Sequence, residues 1–112
     1  MTWLRDLVGR RPDVEATAAA AAASHAIETM VQRGTVAVGD IANGTWAAPL
    51  LARSALCGIA FHEIFGFRAA DAESILDAAA QRLEAIDADP DVRGARDRFT
   101  AILTPHAAHT TS

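Results

Sequence analysis

The residues of this chain best able to do chemistry are two histidine–carboxylate pairs, His25 with Glu28 and His62 with Glu63. Residues three apart share a helix face, so His25 and Glu28 would stand side by side on one helix. Imidazole and carboxylate together suit a borderline divalent ion such as zinc. If the segment bearing His62 and Glu63 ran antiparallel beside that helix, His25, Glu28, His62 and Glu63 would make a candidate metal site. The spacing supports this only in part. The order is His-x-x-Glu, once, where di-iron bundles use Glu-x-x-His twice. His62-Glu63 is followed by Ile64, Phe65 and Gly66, so no second histidine completes a zinc-protease motif. The plainer reading leaves His25 and Glu28 on a solvated face with Ser24 and Gln32, and makes His62 a core histidine bonded to a backbone carbonyl. We assign no catalytic residue and no cofactor, and an enzyme is the less favoured class.

Other reactive groups follow the same pattern. Arg53 and Glu63 need partners if their segment is buried, because a lone buried charge is costly. The expectation is that Arg53 pairs with an acidic residue elsewhere or that both groups lie at helix edges; a Glu63 with a raised pKa, handling protons, is the functional alternative. The single cysteine, Cys57, excludes an intramolecular disulfide and a metal knuckle. Nucleophilic use needs a base, and on a helix His62 would lie about 140° round the axis from Cys57. A buried, inert thiol is the expectation.

The elements that must position these residues read as helices. Trp3, Leu4, Leu7 and Val8 suggest a short N-terminal helix stopped by Gly9. A first long helix is expected from about Asp13 to Arg33, closed by Gly34, with six successive alanines at its centre. Between Gly34 and Ala48 the periodicity fails around Gly39-Asp40 and Asn43-Gly44, which predicts a loop with one irregular helical turn, a tiny hairpin being the alternative. The next segment, Trp46 to Phe67, places Leu50, Leu51, Leu56, Ile59, Phe61, Ile64 and Phe65 all around a helical wheel. It is expected to be a buried central helix, with Ser54 and Gly58 marking a close crossing. Another helix spans about Ala72 to Ala88, with Asp71 as N-cap and Ile75, Leu76, Ala79, Leu83 and Ile86 inward. The last begins at Asp89-Pro90, buries Val92, Ala95, Phe99, Ile102 and Leu103, and ends at Thr104-Pro105. The expected fold is therefore all-α: a four-helix-type bundle with a buried central helix and a short extra N-terminal helix. It forms a single domain over residues 1–105, followed by a disordered tail over 106–112.

Composition bounds the partners. The chain has 112 residues, 51% of them hydrophobic, and a formal net charge of −4. All its basic residues are arginine, set in an alanine-rich sequence, the coding bias of a GC-rich bacterium or phage. An acidic chain without a basic stripe is a poor match to nucleic acid. The central segment is long enough to span a membrane, but Arg53, His62 and Glu63 would each be expensive in hydrocarbon, so no membrane partner is expected. Charged residues near the N-terminus, in place of an apolar leader, predict a cytoplasmic protein. Apolar content is high for so short a chain, and Trp46, Phe61, Phe65 and Phe67 are candidate interface residues. The expected function is a non-enzymatic helical interaction or assembly module, its partner a second copy or another protein. The alternatives are a small-molecule- or metal-binding helical bundle, and a regulator that binds a protein through the loop over 34–45.

Overall fold

The computed structural model describes residues 16–66 and 68–107. The short N-terminal helix, Phe67 and the end of the expected tail, 108–112, lie outside the described residues. Helix α1 (Ala16–Gln32) leads into strand β1 (Ala37–Ala42), helix α2 (Ala47–Arg53) and strand β2 (Cys57–Ile64). A single 3₁₀ turn (Ala69–Asp71), helix α3 (Ala72–Ala88), helix α4 (Pro90–Gly94) and strand β3 (Phe99–Pro105) follow. The three strands form one sheet in the order β1-β2-β3, and both pairings are parallel. The fold is thus α/β and not all-α, and the expected four-helix-type bundle is overturned by the sheet.

The error lies in the Trp46–Phe67 segment and its neighbours. A parallel strand is flanked by residues on both faces and reads as a continuous apolar run, just as a buried helix does. The helix there ends after two turns. Ser54 Oγ donates to Leu51 O at 2.7 Å and accepts the Leu56 amide at 3.1 Å, which turns the chain out of the helix. From Cys57 onward Ile59, Phe61 and Ile64 favour extended backbone. Gly58 does mark a close approach, but of a strand: a Cβ there would sit 2.5 Å from Val38 O. The expected loop over 34–45 contains β1, whose Val38 and Ile41 pair with β2 on either side of Gly39-Asp40. The expected last helix stops at Gly94, because Phe99-Thr100-Ala101-Ile102-Leu103-Thr104 is rich in β-branched and aromatic residues and pairs with β2.

Two helices match their sequence signals closely. α1 ends as Gly34 predicts: Gly34 has φ +85°, its amide donates to Val31 O, and the Thr35 amide donates to Met30 O. This is a Schellman closure, which favours glycine at the left-handed position. α3 spans the expected residues, although Asp71 does not cap it; the Asp71 carboxylate instead takes Arg68 Nε at 2.7 Å. At the start of α4 the Asp89 carboxylate does accept the Asp91 amide at 2.9 Å.

The helices pack on one face of the sheet, with α1 held against α2 through Ile27 and Met30. The core between the layers contains Leu51, Leu56, Ala60, Val92 and Phe99. Arg98 donates to Ala52 O at 2.8 Å, tying the turn before β3 to the end of α2. Arg53 finds the acidic partner expected of it, Asp91, at 3.3 Å; both side chains are exposed, so the pair stabilises little. No helix of the described residues is long and apolar enough to cross a membrane.

Candidate interaction surface

Alternation along the strands assigns each side chain to a face. On β2, Gly58, Ala60, His62 and Ile64 point to the helices, and Cys57, Ile59, Phe61 and Glu63 point away. On β3, Phe99 and Ala101 are buried under the helices, while Thr100 and Ile102 are exposed. The register aligns the outward residues in rows. Ile41, Phe61 and Ile102 form one row across all three strands, and Gly39, Ile59 and Thr100 form the next. Glu63 and Thr104 close one end; Ala37 and Cys57 close the other.

Nothing among the described residues covers the centre of this face, although His106 lies over Glu63 at one end. Ile41 is 67% exposed, Ile102 40% and Ile59 36%. Phe61 is half-buried because its ring lies across Gly39, where a Cβ would meet Phe61 Cε2 at 3.2 Å. All-parallel sheets are almost always covered on both faces, so an open apolar face on one is a surface awaiting a second layer.

The two ends of the face differ in chemistry. At the carboxyl ends of the strands, Glu63 Oε1 lies 2.6 Å from His106 Nδ1, and the His106 ring packs against Phe65 with centroids 4.5 Å apart. The His106 amide also donates to Ile64 O. His106, placed by its sequence in a disordered tail, is thus held to β2 by backbone and side chain. At the amino ends, Cys57, Ile59, Arg96, Asp97, Arg98 and Thr100 line one shallow depression. The strand order advances in one direction, without the reversal at which open α/β sheets form a ligand crevice.

The candidate metal ligands fall in different places. His25 and Glu28 are exposed on α1. His62 and Glu63, consecutive on a strand, point to opposite faces of the sheet. Among the described residues no three histidine, cysteine, aspartate or glutamate side chains gather where they could hold a metal ion. His62 is a core histidine, 2% exposed, but neither ring nitrogen meets a hydrogen-bond partner there, so the expected backbone bond is missing. Burial, with the Arg82 guanidinium adding to it, holds its imidazole below the ordinary 6.5. Asp40, also on the helix side, has one carboxyl oxygen sealed and unpartnered, and burial raises it above 3.8.

Of the candidate interface residues, Phe61 stands at the centre of the open face, Phe65 borders it at His106, and Trp46 is 48% exposed beside the loop after β1. Cys57, expected to be buried, is exposed at the edge of the face. Sequence reasoning missed Ile41, Ile59 and Ile102. The available signal was Ile59 two residues before Phe61 in β2 and the alternating Thr100, Ile102 and Thr104 of β3; β1 offered none.

The described residues form a two-layer α/β arrangement in which no other described element covers one face of the sheet. The chain matches no model of a known protein family, and no curated protein is significantly similar to it.

Proposed function

We propose that the protein is a non-enzymatic assembly module that self-associates through the open face of its parallel sheet. The observation that carries this is the uncovered Ile41–Phe61–Ile102 row. Removing such side chains from water favours association by roughly 25 cal/mol per Å² of apolar surface. The surface is three strands wide, so it suits a broad apolar layer better than an extended peptide, and a second copy supplies one. Its charged groups sit at the two ends and leave the centre apolar, the arrangement of an interface core inside a polar rim.

Size sets the strength. Three strands about 4.8 Å apart, paired over six residues of about 3.3 Å each, give a footprint on the order of 14 by 20 Å. Stable interfaces bury about 800 Å² per partner, so this face makes a weak, concentration-dependent dimer.

Sedimentation between about 1 and 300 µM tests the reading. The native chain should pass from monomer to dimer across that range. Ile102→Glu, at an exposed position, should remain monomeric with an unchanged circular-dichroism spectrum. A native chain that stays monomeric throughout defeats the proposal.

A further inference from the structure

We propose that the cavity between β1 and the start of α2 binds a small organic ammonium ion, held by the Asp40 carboxylate and the Trp46 indole. Aspartate is depleted in strands, yet Asp40 lies within β1 and is half-buried on its helix side. One of its carboxyl oxygens is sealed from water without a hydrogen-bond partner, and the other is neither sealed nor bonded. No arginine or histidine among the described residues forms an ion pair with it: Arg53 is taken by Asp91, Arg68 by Asp71 and His106 by Glu63. Burial without compensation raises this carboxyl above the ordinary 3.8. A cation at the open oxygen supplies the missing compensation. A charged group that costs stability at the foot of a cavity is a mark of a binding site.

The cavity has a volume of about 290 Å³ and lies where the chain leaves β1 and turns into α2; Asp40, Ala42, Asn43, Gly44 and Trp46 line it. Trp46 is braced against Gly44, where a Cβ would sit 3.0 Å from Cδ1 and 3.1 Å from Nε1 of the ring. The absent side chain is what lets the turn close on the indole. Carboxylate and indole on one cavity are the two groups that recognise an organic ammonium, the first by charge and the second by its π face, tryptophan being the best ring for it.

Other occupants fit less well. A metal ion takes at least three protein donors, and no such group of histidine, cysteine, aspartate or glutamate gathers among the described residues. An anion is repelled by Asp40, and no arginine of the described residues lines the cavity. The amino end of α2 opposes a cation, but this helix has only seven residues, and its partial charge is outweighed by a full carboxylate. Cavities for larger ligands begin at roughly 300 Å³, so this one suits a small ion.

Two sources carry this chemistry, a free amine and the lysine side chain of a partner protein. Titrating the full chain, labelled with nitrogen-15, at neutral pH with n-butylammonium should shift the amides of residues 40–47 and the Trp46 indole N–H. The shifts should saturate with a Kd of about 1–10 mM. n-Butanol, of the same shape without the charge, should bind roughly tenfold more weakly, and Asp40→Asn should weaken n-butylammonium by about the same factor while keeping a folded spectrum. Trp46→Leu should weaken it about threefold. Tighter binding of Nα-acetyl-lysine amide than of n-butylammonium assigns the site to a partner's lysine; equal or weaker binding assigns it to a free amine. Shifts that fail to saturate by about 100 mM, or that persist unchanged in Asp40→Asn, overturn the proposal.

Discussion

To the helices, β2 presents Gly58, Ala60 and His62; to the open side, the same strand presents Ile59, Phe61 and Glu63. β1 repeats the contrast, with half-buried Asp40 on the helix side and Ile41, 67% exposed, on the other. The covered face is small at its centre, where Ala60 and Ala101 let α2 and α3 approach closely, and bulkier around it, with Val38, Ile64 and Phe99. Further apolar bulk, Ile41, Phe61 and Ile102, is turned outward along the middle of the sheet. The contrast separates the core from the proposed assembly surface, two apolar areas back to back on one sheet.

Substitutions on the two faces should therefore part company. Phe99→Ala, on the covered face at 2% exposure, should destabilise the fold by about 3–5 kcal/mol in urea titration. Phe61→Ala should destabilise the monomer by only about 1 kcal/mol, yet remove self-association on sedimentation. Equal losses of stability would mean that the open face belongs to the monomer's own core.

A smaller effect is expected at His62. Its neutral imidazole is favoured in the folded state, so as pH falls below 6.5 the unfolded chain takes up the proton first and stability declines towards the lowered folded value. His62→Leu should remove that decline. At pH 7 it should also add on the order of 1 kcal/mol, because a buried polar group without partners is lost. A slope below pH 6.5 that is identical in the variant would locate the titration elsewhere.

Asp40 should act least, and with the opposite sign. Its carboxyl is raised above 3.8, so its contribution is fully present below that pH and is lost as pH rises through the folded value. Asp40→Asn should raise Tm at pH 7 by roughly 1–2 °C, a gain that shrinks as pH falls towards 3.8. An unchanged or lowered Tm at pH 7 would show that the charged carboxylate is well accommodated on the covered face.

Much of the helical structure was legible residue by residue. Gly34 announced the end of α1, Asp89-Pro90 the start of α4, and the stripe from Ile75 to Ile86 the extent of α3. The stripe was less reliable about depth: Ala79 and Ile86 are buried, but Leu76 is 52% exposed. The strands were hidden because β2 carries apolar residues on both faces, a pattern that wraps a helical wheel as fully as it lines a sheet. In β3, an isoleucine and a leucine at adjacent positions fitted a helical stripe extended from Val92. The candidate surface was legible only through Phe61 and Phe65, read both as part of a buried central helix and as candidate interface residues. Ile59 and Ile102 were read as helix residues, and Ile41 as part of a loop.

By itself, then, the sequence determined what local chemistry can determine: where alanine-rich backbone stays helical, where glycine and proline stop it, and that one acidic chain carries more apolar bulk than a short domain hides. Tertiary structure alone decided that Cys57–Ile64 is extended, because the backbone hydrogen bonds that choose strand over helix come from β1 and β3, about twenty residues before it and forty after. The same pairing decided which residues share a face. It put Ile41, Phe61 and Ile102 in one row although some 60 positions of chain separate the first from the last, and no periodicity within a single segment encodes that.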